Sequence, residues 1–142
     1  QSDSYLRLEG SAEDPPGYAT ITGAKTHLNT HEPILQSDGY TGRVFLGLNQ
    51  LYVQPEEALY VTTGRSPLLL TLAGNLWYNT GPRLSLAPAT RLVALGNVPF
   101  GKGRPPEDVG LDQPEAMQSI ADALDDLRRL GRLDHQVNGW VP

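Results

Sequence analysis

Short apolar runs separated by turn residues dominate the chain from about position 18 to position 100. Most runs hold three to six residues, and Gly, Pro, Asn or Ser stands between them. From Arg43 onward a new run begins roughly every 7 to 9 residues. The pattern therefore predicts short β-strands at 18–22, 44–46, 51–53, 58–62, 67–72, 76–78, 83–86 and 91–95.

Short strands with a turn signal between each are typical of antiparallel β-proteins. We therefore predict a mainly β fold: a single antiparallel β-sandwich or barrel, with a jelly roll as one variant. No repeat with a fixed period of about 20 to 50 residues is evident. A chain of 142 residues fits one domain with one modest core.

After Phe100 the pattern changes from strand-like to helical. Asp112 is placed to cap a helix, Glu115 completes a capping box, and Gly131 supplies a stop. The sequence predicts one amphipathic helix over 112–131, packed on the domain or on a neighbour. Its apolar stripe consists of Met117, Ile120, Ala121, Leu124, Leu127 and Leu130.

The segments on either side of these elements read as irregular arms and a linker. Residues 11–17 (Ser-Ala-Glu-Asp-Pro-Pro-Gly) suit neither a helix nor a central strand. The chain begins at Gln1 rather than Met, which fits a removed leader, a cleaved precursor or an omitted first residue. The predicted organisation is an amino-terminal arm 1–17, a β domain 18–100, a basic linker 101–111, the helix 112–131 and a carboxyl-terminal arm 132–142.

Composition narrows the class of protein. Only 19% of the residues are charged, and there are 15 glycines and 12 prolines, which favours short strands and many turns. Cysteine is absent, which excludes disulfides, thiolate zinc sites and cysteine nucleophiles. No apolar run is long enough for a membrane helix, so we predict a soluble protein without membrane insertion. The compartment stays open, and virion-associated and extracellular locations both fit.

The charges are sorted along the chain. Five basic residues and no acid lie between 58 and 106, whereas seven acids and no base lie between 107 and 126. Separated charges of this kind orient protein contacts, so we expect the acidic helix to face the basic sheet, within one chain or between copies. The net charge of -5 argues against nonspecific nucleic-acid binding.

No catalytic signature is present. The chain lacks a Gly-x-Ser-x-Gly elbow and a phosphate-binding loop. His27, His31 and His135 make a small metalloenzyme the second alternative function, but their spacing matches no dense ligand pattern. We therefore predict a non-enzymatic protein with no catalytic residue, no cofactor and no bound metal.

Five residues are candidates for binding a partner. Trp77 and Tyr78 are adjacent in a predicted strand and must occupy opposite faces, so at least one of them leaves the core. Trp140 lies two residues from the last position, in a tail with no local core. Lys102 and Arg104 stand in the Gly-rich basic linker and present two cations to an acidic partner.

These features together favour a structural or assembly protein that belongs to a larger particle. Its plan, though no motif, is similar to that of virion accessory, capsid-decoration or tail proteins. Its arms and helix would contact other copies or a larger scaffold. The alternative is a carbohydrate-binding β-sandwich module that uses exposed aromatic residues such as Trp77 or Tyr78.

Overall fold

The computed structural model describes most of the chain, and the described residues form a mainly β fold. They are residues 6–27, 33–52, 58–79, 83–101, 108–112, 118, 120–122, 124–125 and 128–129. At strand positions 26–27, 51–52, 58–59, 77–79, 83 and 99–101 only the backbone is described.

The described residues form twelve short strands arranged in three sheets. Their bounds are β1 (Leu6–Glu9), β2 (Gly17–Thr22), β3 (Lys25–His27), β4 (Leu35–Asp38), β5 (Gly42–Gly47), β6 (Gln50–Tyr52), β7 (Ala58–Thr63), β8 (Leu68–Ala73), β9 (Leu76–Asn79), β10 (Arg83–Ser85), β11 (Thr90–Leu95) and β12 (Val98–Gly101). The first sheet has the order β1-β4-β7-β10, the second β2-β5-β8-β11 and the third β3-β6-β9-β12. Every strand pairing is parallel.

Each strand pairs with the strand three places later in the chain, so the chain winds as a coil. Three consecutive strands make one turn of the coil, one in each sheet, and four turns stack on one another. Parallel neighbours need a connection of about a dozen residues or more, and the other two strands of each turn provide it. The architecture is therefore a parallel β-solenoid.

The predicted antiparallel sandwich or barrel, including its jelly-roll variant, is wrong. The predicted strand positions are close to the observed ones: the prediction at 67–72 corresponds to Leu68–Ala73, and that at 91–95 to Thr90–Leu95. The error lies in the connections between strands, because each connection bends the chain into the next sheet instead of reversing it into a hairpin.

The bend from the second sheet to the third shows how this happens. One residue at each bend has a positive φ angle: Gly23 (71°), Leu48 (56°), Gly74 (66°) and Gly96 (67°). Glycine adopts this left-handed conformation without steric cost, which explains its use at three of the four bends. Leu48 is the one non-glycine residue with a positive φ within the described part of the chain.

The residue after each of the last three bends is a buried asparagine, and Asn49, Asn75 and Asn97 form a ladder. Each Oδ1 accepts the backbone N–H of the preceding turn's equivalent residue, at 2.9 Å from Ala24, 3.2 Å from Asn49 and 3.0 Å from Asn75. Each Nδ2 donates to a carbonyl of that preceding turn, at Ile21, Leu46 and Leu72. The buried amides are thus satisfied by the repeat itself.

The prediction that no repeat has a fixed period is confirmed, but the chain contains a structural repeat of variable length. The second-sheet strands begin at Gly17, Gly42, Leu68 and Thr90, so a turn of the coil takes between 22 and 26 residues. Because the turns differ in length, the repeat has no fixed period, although a residue with positive φ followed by a buried asparagine recurs in every turn after the first.

The core fills the inside of the coil with residues stacked in register. Within the second sheet, one stack consists of Ala19, Val44, Leu70 and Leu92, and another of Ile21, Leu46, Leu72 and Ala94. Strand β8 is buried at every position from Leu68 to Leu72. A parallel strand covered on both faces has the continuous apolar character that this run shows.

The predicted helix over 112–131 is not defined as an element. Residues 111 and 112 form a turn, and helical backbone is described only at 118, 120–122, 124–125 and 128–129. We refer to the described residues from Gln118 to Arg129 as the carboxyl-terminal segment. Within the predicted amino-terminal arm, Leu6–Glu9 forms β1 and pairs with β4.

Candidate functional site: the two ends of the coil

The carboxyl-terminal end of the second sheet is closed by a short antiparallel segment. Val109 donates its N–H to the carbonyl of Ala94 and accepts the N–H of Ala94 at its own carbonyl, both at 3.0 Å. The Oδ1 atom of Asp108 accepts the N–H of Gly96 at 3.0 Å. These bonds engage the outer edge of β11 at Ala94 and extend to Gly96 just beyond the strand, so another strand cannot pair along the whole edge.

Gly110 makes this closure possible. Its φ is 77°, and a Cβ atom at this position would lie 2.5 Å from the carbonyl oxygen of Leu92. No side chain fits so close to a backbone atom, so only glycine lets the chain lie against the last turn of the coil.

The outer face of the second sheet is covered by the carboxyl-terminal segment. Ile120 packs against Leu69 and Val93, whose exposed fractions are 3% and 0%. Beside this contact lies an apolar groove of about 310 Å³, bounded on one side by Phe45 and on the other by Leu124. Burial of the sheet face by apolar contacts stabilises this arrangement.

Arg43 connects the segment to the sheet electrostatically. Its Cζ atom lies 4.8 Å from the centroid of the Tyr18 ring, and its Nη1 atom donates to Oδ2 of Asp122 at 2.8 Å. The hydrogen bond from Arg43, together with one from Gln118 Nε2 at 2.8 Å, lowers the pKa of Asp122 below its ordinary value of 3.8. Asp122 belongs to the acidic block, whereas Arg43 lies outside the basic block of 58–106.

The amino-terminal end of the coil differs from the closed end. β1, β2 and β3 are edge strands of their sheets, and no described strand pairs with their outer edges. The apolar side chains of this turn, such as Leu6 and Ile21, are only half-buried, whereas the aligned Leu35 and Leu46 are fully buried. The end of the core is thus exposed to contact.

The hydrogen-bonding direction of β2 identifies which groups lie on this outer edge. Gly17 donates to Thr41 and Gly23 donates to Gly47, both residues of the second turn. Because successive residues of a strand direct their N–H and C=O groups to opposite sides, the groups of Thr20 and Thr22 are directed away from the second turn. No strand of the described residues pairs with these groups, and an edge of this kind accepts another strand.

The asparagine ladder ends at the same place. The residue of the first turn that corresponds to the ladder is Ala24, which donates its N–H to Asn49 but has no side-chain amide. A preceding turn of the same kind would direct a backbone N–H to this position and find no acceptor.

Charges are also separated around the first turn. Glu9, Glu13 and Asp14 are exposed near the bend from the first sheet to the second, and Oε2 of Glu9 lies 3.6 Å from Nε of Arg7 on the same strand. Lys25 is exposed at the start of β3, beyond the bend from the second sheet to the third. The Asp14 carboxylate accepts the N–H of Ser11 at 2.8 Å, which holds the acidic bend in place.

The residues predicted as interaction candidates are not brought together by the described structure. Trp77 and Tyr78 lie in β9, where Trp77 is in register with Leu51 and Tyr78 with Tyr52. Their side chains lie outside the description. Lys102, Arg104 and Trp140 are outside the described residues altogether.

The described structure does not bring the three histidines together either. His27 ends β3, whereas His31 and His135 lie outside the described residues. Among the described residues no group of three His, Cys, Asp or Glu side chains is arranged to hold a metal ion. The described helical residues include no stretch long and apolar enough to cross a membrane.

Sequence reasoning missed the residues that organise the structure. The pairs Leu48-Asn49, Gly74-Asn75 and Gly96-Asn97 each follow an apolar run, and they were interpreted only as turn signals. Their recurrence after equivalent runs was the available sign of a coil. The edge groups of Thr20 and Thr22 had no such sign, because backbone direction depends on the pairing partner.

No protein-family model, no curated protein and no solved structure matches this chain.

Proposed function

We propose that this chain is a non-enzymatic structural protein that takes part in assembly through the open amino-terminal end of its solenoid. The observation that carries the proposal is the difference between the two ends of the second sheet. Val109 bonds to Ala94 on the outer edge of β11, whereas no described strand pairs with the outer edge of β2.

A solenoid of this kind suits a structural role because each turn supports the next. Stability comes from contacts between neighbouring turns, and an end turn that lacks a cover is a surface prepared for one more partner. In this chain the buried amides of Asn49, Asn75 and Asn97 are all engaged in such contacts. The described buried polar groups thus support a rigid framework.

The closed end gives the assembly a direction. An exposed strand edge at both ends would permit unlimited head-to-tail stacking, as in a fibre. Because the Val109 bridge engages the β11 edge, strand pairing through the second sheet is favoured at the β2 edge, and this favours an assembly of defined size.

Sedimentation velocity on the full chain over a wide range of concentrations tests this proposal. We expect a concentration-dependent species heavier than the monomer. A chain that stays monomeric throughout, with its β structure intact by circular dichroism, would overturn the proposal.

Binding of a linear carbohydrate is a second candidate function, and it is favoured by the alignment of three aromatic residues across the third sheet. Tyr52, Tyr78 and Phe100 occupy the same register position on three neighbouring strands of the third sheet. Strands in a sheet are about 4.8 Å apart, so aromatic residues recur along the coil axis at that spacing. Aromatic rings combine a large apolar surface with polar edges, which suits stacking against sugars.

Titration of the full chain with a panel of soluble oligosaccharides tests the second candidate. Saturable binding that is lost in Tyr78→Ala and kept in Val98→Ala, a change at an exposed position in the same sheet, supports it. Absence of binding to every glycan in the panel, or equal loss in both variants, counts against it.

A further inference from the structure

The outer edge of β2 continues an interface that already occurs three times inside the molecule. β2, β5, β8 and β11 pair edge to edge with six aligned residues at each pairing. The groups of Thr20 and Thr22 extend this pattern beyond the first turn. A strand that binds here would enlarge the second sheet and cover the half-buried Ala19 and Ile21.

Two features exclude a parallel turn of another copy as the occupant. The matching edge of that copy, on β11, is bonded to its own Val109. A parallel turn stacked before β2 would also direct a backbone N–H toward residue 24, where the later turns have an asparagine side chain that accepts it. Ala24 has no side-chain acceptor. The β2 edge of a second copy, in antiparallel orientation, meets neither obstacle, because no described strand covers it and antiparallel pairing does not continue the ladder.

We propose that two copies of this chain join head to head through β2, about a two-fold axis that passes close to Thr20. This inference rests on the proposed assembly function and specifies its partner. Thr20 of each copy exchanges N–H and C=O bonds with Thr20 of the other, the pairing that antiparallel strands make at a hydrogen-bonded position. The second sheets of the two copies become one sheet of eight strands, four from each copy.

The charges around the first turn agree with this symmetry. A two-fold axis through the middle of β2, perpendicular to the coil axis, exchanges the first and third sheets of the two copies. It therefore places the acidic bend of Glu9 and Asp14 against the Lys25 bend of the second copy. Symmetry makes this contact twice in one dimer.

Head-to-head pairing also explains the uneven burial of the core. Ala19 and Ile21 are only half-buried in the single chain, although their aligned partners Val44 and Leu46 are 0% and 1% exposed. A second copy covers this end with an equivalent end, so both cores lose their exposed apolar surface.

The first test removes one edge donor. Thr20→Pro deletes the outward N–H but no bond to β5, and proline is tolerated on an edge strand where its nitrogen faces outward. Thr20→Ala is the matched control, since it keeps that N–H. We expect Thr20→Pro to abolish the dimer in sedimentation velocity and Thr20→Ala to leave it intact, with thermal melting to verify that both variants are folded.

The second test exchanges charges and does not depend on proline. Lys25→Glu and Glu13→Lys each bring like charges together twice per dimer, and we expect each to weaken dimerisation roughly tenfold. The double variant restores opposite charges, so we expect most of the loss to be recovered. A double variant no better than the single ones would overturn the proposed juxtaposition.

The results separate the two proposals. If the chain associates but neither Thr20→Pro nor the charge reversals affect association, the head-to-head dimer is wrong and the assembly function stands. If the wild-type chain does not associate at all, both are wrong.

Discussion

Asn75 accepts two hydrogen bonds from Asn49 at a single atom: its Oδ1 lies 3.2 Å from the Asn49 backbone nitrogen and 3.1 Å from the Asn49 side-chain nitrogen. Its own Nδ2 donates to Leu46 and to Asn97. One buried side chain thus connects three consecutive turns of the coil, and the strength of this connection can be measured.

Replacing Asn75 with alanine is expected to lower the free energy of unfolding by about 2 to 4 kcal/mol, because the buried N–H of Asn49 and carbonyl of Leu46 lose their partners. Urea unfolding followed by circular dichroism measures the change. Gln50→Ala, at an exposed position in β6, is the control and should change stability by less than about 0.5 kcal/mol. Equal effects of the two changes would contradict a structural role for the ladder.

Two glycines with similar φ angles should respond differently to alanine. At Gly96 (φ 67°) a new Cβ meets nothing within 4 Å, so only backbone strain remains, and we expect a loss of about 1 kcal/mol. At Gly110 (φ 77°) the Cβ also collides with the Leu92 carbonyl, so the loss should exceed that at Gly96. Thermal unfolding of both variants decides the order, and a smaller loss at Gly110 would show that the closing segment does not lie against β11.

Val109→Pro is expected to open the closed end of the coil. Proline has no N–H to donate to Ala94, so half of the Val109 bridge is lost and the edge of β11 becomes available. We expect species larger than the wild-type assembly to appear in sedimentation velocity as concentration rises. Val109→Ala keeps both backbone bonds and should behave as the wild type; if both variants sediment alike, the bridge does not limit assembly.

Acid is expected to weaken the attachment of the carboxyl-terminal segment. Because folding lowers the pKa of Asp122, the Arg43 contact stabilises the fold above the ordinary value of 3.8, and this contribution is lost as the pH falls through the lowered pKa. The stability difference between wild type and Asp122→Asn should therefore be present near neutral pH and disappear in acid.

Asp125→Asn provides the control for that titration, because Asp125 is exposed on the same segment. A stability difference between wild type and Asp122→Asn that does not change with pH would show that the Asp122 carboxylate is not engaged by Arg43.

Local structure could be predicted from this sequence because it depends on neighbouring residues. The apolar run from Leu68 to Leu72 and the turn residues around it are enough to place β8. The direction that the chain takes after each bend does not follow from neighbouring residues. Gly74 begins a bend into another sheet, and the same residue type begins hairpins in antiparallel proteins, so the sequence around it favoured the wrong topology.

Contacts between distant residues were beyond sequence reasoning for a similar reason. Arg43 and Asp122 are 79 residues apart, and nothing near either residue identifies the other. The sorted charges predicted that the acidic segment faces the basic block of 58–106, but the arginine that contacts Asp122 lies outside that block. Which cation an acid meets depends on the register of the coil, which the wrong topology concealed.

The bends and connections of the coil divide the chain into a constant part and a variable part. The bend from the second sheet to the third takes two residues in every turn, at 23–24, 48–49, 74–75 and 96–97. The connection from the third sheet back to the first shortens along the chain, from 28–34 to 53–57 to 80–82. The asparagine ladder therefore lies at the connection whose length is constant, so its three amides stay in register although the turns differ in length.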